Sequence, residues 1–260
     1  MRWCRFRAAE RTCWGIIDGL EVIEVRGNPF EHHDVTAIRR PLDRVKLLLP
    51  CLPKTFYAAG LNYVSHIKET AEARGEKFSV PEKPDIGYRA NNALIAHDEP
   101  IIIPRDASDE VQYEGELVAI IGKEVRRVSE EDALDCVMGY TIGNDVSERT
   151  WQRGDRTNWR AKNSDTFNPM GPWIVTGLDP DLLHVTIRLN DRVVGEYDVK
   201  DAIFSISHYI SRISQYMTLY PGDLLWMGTD GEPENMKHGD VCEIEINDIG
   251  VLRNHVQWEK

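Results

Sequence analysis

The sequence predicts a mainly β fold with few helices, and three observations carry that reading. Strand candidates recur along the whole chain, several bounded by Gly, Asn or Asp turns. Two stretches stand out as helices. No Gly-rich turn joins a strand to a helix at dinucleotide-binding spacing, and a P-loop is likewise absent.

Taken in order, residues 15–19 and 20–25 form a hairpin-like pair with its turn at Asp18-Gly19. Pro50 and Pro53, with Cys51 between them, read as a linker. The chain therefore divides into a small N-terminal β-rich domain, 1–54, and a larger domain, 55–260. Strand candidates in the larger part are 101–103, 116–121, 138–142, 173–176, 185–189, 192–197, 224–227 and 241–246. Ser129-Glu130-Glu131-Asp132 resembles a capping box opening a short helix to Val137, and 201–217 carries Ile203, Ile206, Ile210 and Ile213 at helical spacing. The polar stretch 64–75 also has a helical composition.

At 260 residues, with 42% hydrophobic and 28% charged, the chain can bury a sizeable core and has the balance of an ordinary globular protein. A net charge of -12 argues against a nucleic-acid surface, because phosphate binding needs clustered Lys and Arg. Arginines interrupt the first residues, so no signal-peptide run is expected there, and nothing approaches membrane-spanning length. The five scattered cysteines contain no Cys-x-x-Cys pair and read as reduced thiols of a cytoplasmic protein.

The chemistry concentrates first at Glu114 and Glu116. Successive strand side chains point to opposite faces, so these two carboxylates share one face and can reach one ion. The apolar run 117–121 behind them places the pair at the mouth of a buried strand, where uncompensated charge is costly. Asp145, in Gly143-Asn144-Asp145-Val146-Ser147, supplies a third carboxylate. An oxygen-only set suits magnesium, calcium or manganese better than zinc or copper. Three carboxylates against one divalent ion leave about -1 by formal counting, so Arg149 and Lys162 are needed to draw in an anionic substrate. His66 and Glu69, three apart, share a face if helical, and a carboxylate beside histidine suits a water-activating base. Read alone, that spacing fits an exposed ion pair better than a catalytic dyad.

The order and spacing of several segments make a larger pattern. They are Asn62-Tyr63-x-x-His66-x-x-Glu69, Glu114-x-Glu116-Leu117, Asn144-Asp145-Val146-Ser147-x-Arg149-x-x-Gln152, Lys162-x-Ser164-Asp165-Thr166-Phe167 with Gly171-Pro172, and Pro221-Gly222-Asp223 with Gly228-Thr229. Together they closely resemble the fumarylacetoacetate hydrolase family over residues 55–260. The resemblance implies a mixed β-sandwich roll behind a small N-terminal domain, usually dimeric. It implies magnesium or manganese at Glu114, Glu116 and Asp145, and a water-activating dyad of His66 and Glu69 on a lid segment. Arg149, Gln152, Lys162 and Thr229 match substrate-contacting positions, and Lys162 joins the dyad among the expected catalytic residues.

Three departures from the family pattern stand out: Arg89 for a usual lysine, Glu148 and Thr150 within Ser147-Glu148-Arg149-Thr150, and Asp230 after Gly228-Thr229. Each is expected to alter the pocket lining. Members act on small keto acids, often from aromatic catabolism. The expected activity is hydrolysis of a carbon-carbon bond in an acylpyruvate or fumarylpyruvate type acid. The alternative is decarboxylation or isomerisation of an oxaloacetate or 2-hydroxyhepta-2,4-diene-1,7-dioate type acid. A metal-binding protein without turnover is the rival from another class, and it would need neither the dyad nor the cations.

Overall fold

The structure is a computed structural model that describes residues 1–75 and 77–260, apart from the side chains of Glu69, Thr70, Ala73 and Arg74. The expectation placed on the Glu69 carboxylate therefore lies outside the described residues.

The chain is mostly β. One large mixed sheet runs through His33–Pro41, Glu21–Gly27, Arg11–Asp18, Arg2–Ala8, Asn168–Val175, Val137–Asn144, Gly115–Ile121, Leu224–Trp226, Phe56–Ala59 and Ile86–Tyr88. A five-stranded sheet runs Arg192–Asp198, His184–Leu189, Val241–Ile246, Gly250–Trp258, Ile101–Ile103. The main core lies between them, with Leu117, Ala119 and Ile121 from the first packed in one cluster with Val185, Ile187, Ile244 and Ile246 from the second. Gly115–Ile121 is buried at every position, as its unbroken apolar run requires.

The N-terminal strands continue the large sheet, since Arg2 and Trp3 pair with Val175 and Ile174. The expected hairpin forms between Arg11–Asp18 and Glu21–Gly27, with Asp18 opposite Glu21. Its turn falls at Gly19-Leu20, one residue later than expected, where Gly19 takes φ 59°. Among the strands that the sequence reading did not name are Phe56–Ala59, Ile86–Tyr88 and Gly250–Trp258.

The helix expected up to Val137 shrinks to a single 3-10 turn, Ala133–Cys136. Ser129 and Asp132 make their reciprocal contact, but Val137 is already paired with Ile121 in the sheet, and strand pairing overrides the cap. The helix expected over 201–217 covers only Ile206–Ser214, because Ser205 caps it and Asn62 holds the backbone amides of Ile203 and Phe204 just before it. The polar segment is the helix Val64–Arg74. Among the described residues no helix is long and apolar enough to cross a membrane. All five cysteines are free and buried.

Candidate metal and active centre

The acidic triad forms at the ends of two paired strands. Glu114 stands just before Gly115–Ile121 and Glu116 lies within it, while Asp145 follows Val137–Asn144 directly. The antiparallel register sets Gly115 opposite Asn144, and the Asp145 amide donates to the Glu114 carbonyl at 2.9 Å. Asn144 accepts from the Glu114 amide at 3.0 Å, and Ser147 donates to the Asp145 carbonyl. Oxygens from all three buried carboxylates fall within 4.8 Å of one another.

The charges around the triad are arranged unequally. Lys162 Nζ bridges Glu114 Oε2 at 2.7 Å and Asp145 Oδ2 at 2.6 Å, and Arg149 Nη1 reaches Glu114 Oε1 at 2.8 Å. Arg89 grips both Asp145 oxygens, and Asn168 donates to Asp145 Oδ1 at 3.0 Å. Burial opposes ionisation of Glu114, but Lys162, Arg149 and His66 outweigh it and hold the carboxyl below its ordinary range. Asp145 is likewise held low, by Arg89 and Lys162 against its burial. Glu116 differs. Its one hydrogen bond among the described residues comes from the Gly228 amide at 2.7 Å, and burial, then Asp145 and Glu114, push it well above the usual carboxylate range. A buried carboxylate without a cation, beside two others, is the donor a hard divalent ion completes, so the residues present fit such an ion.

The triad opens into a cavity of about 740 Å³. Of the nine residues nominated from the sequence, His66, Glu114, Glu116, Asp145, Arg149, Gln152, Lys162 and Thr229 all line it. His66 comes from Val64–Arg74 and places Nε2 3.9 Å from Glu114 Oε1. Its Nδ1 lies 3.2 Å from the Gly231 carbonyl. A carbonyl only accepts, so Nδ1 carries the proton and Nε2 the lone pair. Burial, partly offset by Glu114, holds the imidazole below its ordinary pKa. Gln152 Oε1 accepts from Arg149 Nη1 at 2.9 Å and Gln112 Oε1 from Arg149 Nε at 2.6 Å, while Arg149 Nη2 is buried without a partner among the described residues.

Arg149 and Lys162, expected to draw in an anionic substrate, and Arg89 all touch Glu114 or Asp145, three cations on two of the three carboxylates, because buried carboxylates need counter-charge at contact distance. One expectation needs correction. Of the three departures from the family pattern, Arg89 alone lines the cavity. Glu148 is fully buried away from it, accepting from Ser108 and capping the short helix Arg149–Gln152 through the Trp151 amide. Thr150 contacts Ser108, and Asp230 accepts from Ser65, tying the helix that carries His66 to the loop after Gly228. Sequence reasoning missed Asn168 and the grip of Arg89. A departure from pattern at Arg89 was the only signal.

Comparison with known proteins matches this geometry. The profile "Fumarylacetoacetate (FAA) hydrolase C-terminal" covers residues 55–257, and "Rv2993c-like, N-terminal" covers 1–50. A 2-hydroxyhepta-2,4-diene-1,7-dioate isomerase from Mycobacterium marinum superposes with TM-score 0.88 at 35% identity, covering 100% of this chain and 99% of that one. A bifunctional isomerase/decarboxylase of 4-hydroxyphenylacetate degradation from Salmonella dublin is 36% identical over 210 residues, 79% of this chain and 47% of its own length. A maleylpyruvate hydrolase from Sphingobium sp. SYK-6, solved with manganese(II) and pyruvate, is 26% identical with TM-score 0.81 over all of both chains. The activities named among the relatives span isomerase, decarboxylase, tautomerase and hydrolase. Fold, acidic triad and matched length agree, and the chain belongs to the fumarylacetoacetate hydrolase family.

Proposed function

We propose that this chain is a divalent-metal-dependent hydrolase that cleaves a carbon-carbon bond in a small β-diketo acid of the acylpyruvate or fumarylpyruvate type. The observation that carries the reading is His66, its Nδ1 against the Gly231 carbonyl and its ring in the same cavity as three buried carboxylates and an Arg149 Nη2 without a partner among the described residues. Glu114, Glu116 and Asp145 would hold magnesium, with manganese as the alternative. When bound, the ion supplies Lewis-acid stabilisation of the negative charge that develops on a substrate oxygen.

The remaining work falls to the chain's own groups. Arg149 Nη2 is a charged donor for the substrate carboxylate, and Gln152 and Gln112 fix its plane. Lys162 adds positive potential beside the reacting oxygens. His66 Nε2 takes a proton from the water that attacks the distal carbonyl, and Glu69 is proposed to back it. The carbon-carbon bond then breaks with its electron pair on the keto-acid fragment, which is protonated to give the free keto acid beside a released carboxylic acid. Thr229 is proposed to contact a substrate oxygen from the cavity wall. A homodimer is proposed as the working assembly.

A second reading is favoured by one observation: several relatives at 33–36% identity are named as isomerase, isomerase/decarboxylase or oxaloacetate tautomerase, beside one named as a hydrolase at 36%. Isomerisation or decarboxylation of a related acid needs the same developing enolate charge but no attacking water. Isotope labelling separates them. In H2-18O with Mg2+ or Mn2+, hydrolysis of an acylpyruvate places one 18O in the released carboxylic acid. Release of CO2 from oxaloacetate, or a double-bond shift in a dienoic diacid, without acylpyruvate cleavage would replace the hydrolase reading with the second.

A further inference from the structure

Gly115, between two carboxylates of the triad, sits where the large sheet loses a neighbour. Leu224–Trp226 pairs with Gly115–Ile121 as far as Val118 opposite Trp226, and the Met227 amide still donates to the Leu117 carbonyl at 3.1 Å. At Gly228 the chain turns away with φ 85° and directs its amide to the Glu116 carboxylate instead. Carbonyls two residues apart on a strand point the same way, so the Gly115 carbonyl faces the gap beyond Met227. A buried carbonyl there needs a donor from elsewhere.

Tyr197 supplies it from the opposite sheet. It lies on Arg192–Asp198, paired with Val185, and its hydroxyl donates to the Gly115 carbonyl at 2.7 Å. The same oxygen stands 3.4 Å from the Gly228 carbonyl. The two sheets approach closely here, since a Cβ on Gly115 would lie 3.0 Å from both Ile187 and Ile244. The Tyr197 ring is fixed edge-on against Tyr63 at 4.9 Å.

We infer that Tyr197 is a positioning residue for the metal centre: its hydroxyl fixes the peptide between Glu114 and Glu116 against the turn at Gly228 and so sets the spacing of the carboxylates. The inference rests on the metal reading proposed above. Tyr63 provides an internal control. It is also buried and packs on Tyr197, but its hydroxyl donates to the Val199 carbonyl at 3.4 Å and, among the described residues, makes no hydrogen bond to the triad backbone.

The experiment is calorimetric titration of Mn2+ into the full chain, unmodified, Tyr197→Phe and Tyr63→Phe, with thermal unfolding of each in chelator. Loss of an outer partner costs roughly 10- to 100-fold in metal affinity. Tyr197→Phe should weaken Mn2+ binding by that factor, while Tyr63→Phe should bind as the unmodified protein does, even where its thermal midpoint falls as far. Binding by Tyr197→Phe equal to that of the unmodified protein overturns the inference. So does an equal loss in both variants, which would mean general loosening of the core. Absence of Mn2+ binding by the unmodified protein overturns the metal reading, and this inference with it.

Discussion

Arg89 holds Asp145 in a two-pronged grip, Nε 2.9 Å from Oδ1 and Nη2 2.7 Å from Oδ2. Both side chains are nearly buried, 9% and 2% exposed, so this contact balances charge in a place where solvent cannot. The third arginine nitrogen, Nη1, is occupied by the Tyr88 carbonyl at 3.1 Å. Arg89 thus works on Asp145 rather than on a ligand in the cavity.

Removing one partner of such a pair strands the other. Arg89→Met should destabilise the chelator-treated protein by about 3 kcal/mol in urea unfolding, near the low end for a broken buried pair because Lys162 and Asn168 still contact Asp145. Arg89→Lys should recover only part, since a single ammonium cannot match both oxygens. Unchanged unfolding of the Met variant would show that the grip contributes nothing to the fold.

Glu116 should behave in the opposite sense. It is the triad member without a cation partner among the described residues, so Glu116→Gln should keep or raise stability in chelator. The same change should weaken Mn2+ binding by more than the roughly 10- to 100-fold typical of an outer partner, because it removes a ligand oxygen. A variant that binds Mn2+ normally would remove Glu116 from the ligand set.

His66→Ala should slow acylpyruvate hydrolysis roughly 100- to 10,000-fold, the range for a positioned general base. Decarboxylation should suffer less, because it abstracts no proton from water. Hydrolysis at the unmodified rate would leave the imidazole without a place in the mechanism.

Arg149 Nη2 predicts a preference for acids over esters. A hydrogen bond to a charged group contributes on the order of 1.5 to 3 kcal/mol, so a keto acid should exceed its methyl ester about 10- to 150-fold in kcat/KM. Arg149→Ala should erase most of that difference, and Arg149→Lys should restore it partly. Equal efficiency on acid and ester in the unmodified protein would contradict a keto-acid substrate.

What could be read from the sequence follows from how local the determining physics is. Glu114 and Glu116 share a face because of strand period alone, and that is visible in three residues. Asp145 is visible as the carboxylate ending a strand. Arg89 is not, because its reach to Asp145 depends on Ile86–Tyr88 pairing with Phe56–Ala59 at the far edge of the sheet. Gly250–Trp258 escaped notice because a polar residue, Asn254, occupies a core position within its alternation. It is buried there by donating to the carbonyls of Ala96 and Glu99, contacts that no local pattern reveals. Glu148 reads as pocket chemistry beside Arg149, yet its strand geometry turns it inward to cap a four-residue helix.

The most direct test of the central claim is turnover of an acylpyruvate by the 260-residue chain, followed as pyruvate and carboxylic acid by mass spectrometry, before chelation, after exhaustive chelation, and after Mg2+ or Mn2+ is restored. Products should vanish with the ion and return with it, and Glu116→Ala should not recover. Full product formation after exhaustive chelation would contradict a catalytic metal at Glu114, Glu116 and Asp145.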